Sequence, residues 1–169
     1  MTADDLDVRI LTEEDVDAAL GVINAAAGWY ADILDSGAVD GPEMTREEWQ
    51  TEAQRMTWFG AFSGARLLGV IGLEYVAEVA LLRHWYVDPQ HQRTGAGSAL
   101  RRHLEASVSG VDRIVAGTYR ANYKARGALE RAGYILSPDP DAVLRAYYDI
   151  PADRRETSVT YERPVDARA

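Results

Sequence analysis

Apolar and polar positions change period several times along the chain, and each change marks an element. Asp7-Val8-Arg9-Ile10 alternates and predicts a short strand. Thr12 is placed to cap a helix with Glu13, Glu14 and Asp15 in its first turn, and Val16, Leu20 and Ile23 give that helix an apolar stripe. Gly28 to Pro42 is polar and glycine-rich, contains Trp29 and Tyr30, and reads as a loop or broken helix. Thr45-Arg46-Glu47-Glu48 is a capping box that opens a helix through Trp49, Ala53 and Met56. Trp58 to Phe62 reads as a strand, turned by Ser63-Gly64. Leu67 to Tyr75 and Val79 to Val87 are almost continuously apolar, as strands buried on both faces are; Asp88-Pro89 stops the second. Gly95 to Val108 is helical, with Ala96, Leu100 and Leu104 on one face. Arg113 to Thr118 is a strand, Asn122 to Ala132 a helix ended by Gly133. Tyr134-Ile135-Leu136 starts a strand that Ser137-Pro138-Asp139-Pro140 breaks. A short helix through Leu144 and Tyr148 follows, then a last strand from Thr157 to Glu162.

Three consecutive strands suit antiparallel pairing, and the later strand-helix-strand units suit parallel pairing. The expected fold is α/β: a central mixed, mostly antiparallel sheet of six to seven strands with helices on both faces. At 169 residues the chain reads as one domain. It has no run of 18 apolar residues, and its acidic start lacks the basic and apolar segments of a leader. With no cysteine there is no disulfide, thiolate metal site or cysteine nucleophile, which fits a cytoplasmic home. Three scattered histidines make no metal site, and His91 and His103 read as surface groups.

A net charge of −9 disfavours nucleic acid as a partner. The charge is uneven, however. Residues 1–82 hold 4 basic and 16 acidic groups, whereas residues 83–131 hold 9 basic and 4 acidic groups. The middle of the chain would welcome a small polyanion; solvated helix faces would give the same count.

That middle contains Gln92-Arg93-Thr94-Gly95-Ala96-Gly97, between a buried strand and an amphipathic helix. Glycines there let a ligand approach the backbone, and the first amides of the helix lack internal partners at the positive end of its dipole. Together they can cradle a diphosphate, with Arg93 adding a side-chain contact. The Walker pattern fails, because Ser98-Ala99 follows Gly97. The dinucleotide fingerprint fails, because Leu100 stands where a third glycine belongs. A plain structural turn remains the other reading of these residues.

Gln92 to Gly97 resembles the Gln/Arg-x-x-Gly-x-Gly/Ala signature of the GNAT superfamily of N-acetyltransferases. Leu82 to Pro89 resembles the family's fourth strand and its Val-x-Pro exit. Asn122-Tyr123-Lys124-Ala125 with Leu129-Glu130-Arg131-Ala132-Gly133-Tyr134 resembles its Asn-x-x-Ala helix. The likeness spans roughly residues 7–162, the core of a single acetyltransferase domain. It implies a sheet splayed between strands four and five and a binding site for acetyl-coenzyme A. The amides of Gln92, Arg93, Thr94, Gly95, Ala96, Gly97 and Ser98 would hold the diphosphate. Backbone groups of Trp85, Tyr86 and Val87 would pair with pantetheine and polarise the thioester carbonyl. Asn122 would reach the pantetheine arm, and Lys124 and Arg126 would lie near the adenosine end. The acceptor would be a primary amine of a small molecule or peptide, attacking directly in a ternary complex; a homodimer is a common state in such folds.

The sequence departs from the family where relatives place a base and an acid, since those positions hold Leu81 and Leu129. His84, Glu74, Glu78 and Tyr123 are the remaining proton-transfer candidates. Strand alternation puts His84 on the face opposite Leu81 unless a bulge resets the parity. Glu74 and Glu78 flank a turn and read equally as solvated carboxylates; Tyr123 sits early in its helix. Trp29, Tyr30, Arg83, Tyr147 and Tyr148 are candidates to contact the acceptor, with core filling or an ion pair as the other reading. The alternative function is a non-catalytic acyl-CoA-binding sensor, which the two leucines favour.

Overall fold

The computed structural model describes residues 5–33 and 42–166, with the backbone alone at 29–33. Its elements are β1 (Asp7–Ile10), α1 (Val16–Ile33), α2 (Arg46–Ala53), β2 (Met56–Ser63), β3 (Arg66–Val76), β4 (Val79–Val87), α3 (Ala96–Ser107), β5 (Arg113–Tyr119), α4 (Tyr123–Arg131), β6 (Ile135–Leu136), α5 (Pro140–Tyr147), α6 (Ala152–Glu156) and β7 (Ser158–Pro164). The strands form one sheet in the order β1-β2-β3-β4-β5-β7-β6. Four pairs, β1/β2, β2/β3, β5/β7 and β6/β7, are antiparallel. β4 and β5 are parallel over Val79–Leu82 and Arg113–Ala116, as a strand-helix-strand crossover through α3 requires. This is the mixed, mostly antiparallel sheet flanked by helices that the hydrophobic pattern implies.

The chain divides into two compact units, Met1–Glu74 with Arg83–Ser107, and Tyr75–Leu82 with Val108–Ala169. In the first, α1 turns Val16, Ala19 and Ile23 into a core shared with Trp49 of α2 and with Trp58, Phe62 and Val70 of the strands. Leu100 and Leu104 of α3 are fully buried. Gly69 of β3 is needed where it stands: a Cβ there would lie 2.9 Å from the Tyr86 carbonyl oxygen and 3.0 Å from Leu100 Cδ1. In the second unit, Val79, Leu81 and Val115 pack with Val143, Tyr147 and Tyr148. Among the described residues no helix is long and apolar enough to cross a membrane.

Several boundaries differ from the sequence reading. Residues expected to leave the helix at Gly28 continue it to Ile33, because the alanines before Gly28 favour helix and a glycine costs only about 1 kcal/mol. The rest of that segment, 34–41, lies outside the described residues. The turn after Thr12 is a 3-10 turn, Glu13–Asp15, before α1 begins. α2 stops at Ala53, because Met56 pairs with Glu74 and so belongs to β2. α6 is too short, at five residues, to show a hydrophobic period.

Candidate active site

The chain leaves β4 through a tightly bonded turn. Asp88 N–H donates to the Leu68 carbonyl at 2.8 Å, and the Asp88 carboxylate accepts from Gln90 N–H at 2.9 Å. Thr94 Oγ1 donates to the His91 carbonyl at 2.7 Å. The backbone then turns left-handed at Arg93 (φ 65°) and again at Gly95 (φ 87°). Such alternation turns neighbouring amides toward one side, forming a concavity for an anion. α3 starts at Ala96, so the free amides of its first turn extend the same donor set.

This cradle is locked to β4. Trp85 Nε1 donates to the Gly97 carbonyl at 3.1 Å, and a Cβ at Gly97 would sit 3.3 Å from Val87 Cγ2. A larger residue at 97 would push the helix start from the strand. The donor set fits a diphosphate: backbone amides, a helix N-terminus and the Arg93 side chain, with a glycine where the helix meets the strand.

One residue earlier, His84 has φ 50°, a left-handed residue inside a strand and the backbone signature of a bulge. Its consequence is visible in the contacts. Adjacent residues of a regular strand point to opposite faces, yet Arg83 and His84 reach the same carboxylate. His84 Nε2 lies 2.7 Å from Glu52 Oε2, and Arg83 Nη2 lies 3.5 Å from Glu52 Oε1. The ring N–H is not aimed along the first contact, which is therefore a close polar contact and not an aligned hydrogen bond. Glu74 joins the cluster, 2.7 Å from Arg83 Nη1 and 3.0 Å from Arg55 Nε. The side chains of His84 and Glu52 are 18 % and 16 % exposed, so water screens this pair weakly. Burial pushes the Glu52 carboxyl up, but His84, Arg83 and Arg55 outweigh it and hold it below the ordinary value. The His84 ring is the third member of a stack, 5.1 Å from Trp58, which is itself 5.7 Å from Trp49. Tyr86 follows at 6.4 Å.

The first unit therefore brings together His84, Glu74, Arg83, Trp85, Tyr86, Val87 and the segment Gln92–Ser98. Arg83 is engaged by two carboxylates, and Glu74 is buried and ion-paired rather than solvated. In the second unit Glu78 is exposed and accepts a short hydrogen bond from the Tyr147 hydroxyl, whose ring lies near the Arg113 guanidinium. That bond holds the Glu78 carboxyl down and the Tyr147 hydroxyl up. Tyr148 covers Gly117, where a Cβ would meet its ring at 3.3 Å. On α4, the Asn122 side chain accepts from Ala125 N–H at 3.1 Å as the helix cap, and Lys124 is exposed. Arg126 donates to the Tyr161 hydroxyl at 2.9 Å and to the Arg120 carbonyl at 2.8 Å. Tyr123 is 75 % exposed, with the Arg126 guanidinium 5.6 Å from its ring. The side chains of Trp29 and Tyr30 lie outside the described residues.

Two expectations about histidines need correction. His103 sets its ring 4.9 Å from Phe59, and His91 lies between Asp88 and Arg66, so both are half-buried rather than surface groups. Glu52 was not singled out by the sequence. Its signal was available: it follows the buried Trp49 by three residues on a capped helix, so the two share a face.

Solved structures of the same fold include an acetyltransferase from Thermus thermophilus, 24% identical over 97% of this chain and 99% of that one, with a TM-score of 0.70. The ribosomal-protein-S18-alanine N-acetyltransferase of Escherichia coli is 20% identical over 97% and 96%, with a TM-score of 0.68. The PaiA N-acetyltransferase of Thermoplasma acidophilum, in complex with coenzyme A, is 15% identical over 94% and 98%, with a TM-score of 0.66. At these identities the likeness shows the fold. No curated protein matches the chain. The family model described as the acetyltransferase (GNAT) family matches residues 24–134, more than half the chain and all of the cradle and β4, and the chain belongs to that family.

Proposed function

We propose that the protein is an acetyl-coenzyme A-dependent N-acetyltransferase acting on a primary amine of a small molecule or peptide. The observation that carries this reading is the anion cradle at Arg93–Gly97, fastened to the last residues of β4 through Trp85 and Val87. Acetyl-coenzyme A supplies an acetyl group as a thioester and carries the diphosphate that this cradle suits. The amides of residues 92–98 and the Arg93 side chain hold that diphosphate. Backbone groups of Trp85, Tyr86 and Val87 align the pantetheine arm and donate to the thioester carbonyl oxygen as negative charge grows on it. The coenzyme A bound in the Thermoplasma acidophilum structure is in keeping with this assignment.

In the transfer, the amine gives up a proton, its nitrogen bonds to the acetyl carbon, and the carbon–sulfur bond breaks. The sulfur keeps the electron pair and takes a proton from water. Of the four candidates, His84 is the one next to the carbonyl-polarising strand end with its ring held by packing, and we assign it the amine proton. Glu74 is neutralised by two arginines, and Glu78 is engaged by Tyr147.

The second reading is an acyl-CoA-binding sensor without turnover. It rests on Leu81 and Leu129, buried apolar residues where the family resemblance leads one to expect proton-transfer groups. Free-thiol release from acetyl-coenzyme A with a panel of amines separates the two. Amine-dependent release supports the enzyme; tight coenzyme A binding with no release from any amine supports the sensor.

A further inference from the structure

We propose that Glu52 is a positioning residue that fixes the His84 ring so that Nδ1 takes the proton from the attacking amine. The inference rests on the acetyltransferase reading above and adds a residue to it. Three observations converge. The left-handed φ at His84 puts two successive strand residues, Arg83 and His84, on one carboxylate. That carboxylate stands 2.7 Å from Nε2, where a lone pair would be repelled by the oxygen, so the neutral ring is assigned its hydrogen on Nε2 and its lone pair on Nδ1. The Trp58 ring stacked at 5.1 Å prevents the imidazole from turning away.

His84 immediately precedes Trp85, whose backbone is assigned to the thioester carbonyl. A proton acceptor is thus covalently tied to the group that activates the electrophile. As the amine nitrogen bonds to carbon, its proton moves to Nδ1, the ring becomes a cation and Glu52 stabilises that cation. The proton then passes to solvent, and the ring returns to neutral. The ring meets Glu52 from α2, Trp58 from β2 and Tyr86 from β4. Arg55, just beyond α2, and Arg83 of β4 each pair with both Glu52 and Glu74 of β3, so two cations balance two carboxylates and Glu52 is the carboxylate in contact with the imidazole.

The test compares kcat/KM for amine acetylation by the wild type, Glu52→Gln, His84→Asn and the double variant. The rate falls about tenfold in E52Q and about a hundredfold in H84N, and adding E52Q to H84N costs nothing further. A folded E52Q variant whose loss adds in full to that of H84N overturns the proposal, because that is the behaviour of a residue acting apart from the ring. Nitrogen-15 spectra of the wild-type histidines supply the readout that a purely structural residue would not set, with His84 assigned by its loss in H84N, and they decide alone should E52Q not fold. The Nε2–H form of the neutral ring is expected, and the Nδ1–H form overturns the proposal. If the wild type transfers no acetyl group to any amine, the acetyltransferase reading fails; the ring tautomer still reports on Glu52 separately.

Discussion

Trp85 Nε1 donates to the Gly97 carbonyl at 3.1 Å, tying the end of the strand assigned to the thioester to the first turn of the helix assigned to the diphosphate. Replacing Trp85 with Phe keeps the ring packing and removes the donor. A lost hydrogen bond costs about 1 kcal/mol. Urea unfolding of W85F is expected to show a loss of that size, and calorimetry a coenzyme A affinity weakened several-fold. An unchanged affinity would mean that the strand and the helix start do not act together.

Gly97 is the other half of that relationship. A Cβ there lies 3.3 Å from Val87 Cγ2, so alanine needs a small shift and valine a larger one. Gly97→Ala is expected to bind coenzyme A a few-fold more weakly, and Gly97→Val at least tenfold more weakly. Both retain the wild-type circular dichroism spectrum. Equal affinity in all three proteins would place the diphosphate elsewhere.

Arg126 leads to a prediction of opposite character. Its guanidinium donates to the Tyr161 hydroxyl and to the Arg120 carbonyl, and Tyr161 in turn donates to Glu130. The Arg126→Ala variant is therefore expected to lose about 1–2 kcal/mol of stability while its coenzyme A affinity changes less than threefold. A large affinity loss at full stability would show that Arg126 leaves this network to grip the cofactor.

Asp15 supplies a pH dependence unconnected with the site. Its hydrogen bond from Arg9 is the chief cause of a carboxyl held down at about 2. A carboxyl with a depressed folded-state value stabilises the fold above its ordinary range. That contribution disappears as pH falls from about 4 toward 2. Because Arg9 is half exposed, screening reduces the contribution to about 1 kcal/mol. Asp15→Asn is expected to be less stable than wild type by that amount at pH 7 and to converge with it near pH 2. A constant difference across that window in urea unfolding would assign the effect to packing instead.

Elements whose pattern was driven by burial were legible in the sequence. β4 runs from Val79 to Val87 as its apolar run implies, and Thr45 caps α2 through reciprocal bonds with Glu48 at 3.2 and 2.7 Å. The glycines of the cradle were legible because a left-handed backbone at Gly95 favours glycine. Arg93 and His84 were not, since each adopts a positive φ that nothing in its residue type announces. The parity of β4 past Leu82 therefore could not be settled by alternation. Glu52 reaches His84 only through the packing of α2 on the sheet. A single helix pattern shows which face a side chain shares and does not show what faces it.

The central claim is that residues 92–98 grip a diphosphate and present its thioester along β4. Isothermal titration of coenzyme A into the folded protein tests it most directly. Saturable heat with one site per chain, strongly weakened in Gly97→Val, is the predicted result. A folded wild-type protein that gives no heat, or a Gly97→Val variant that binds as tightly as wild type, would contradict it.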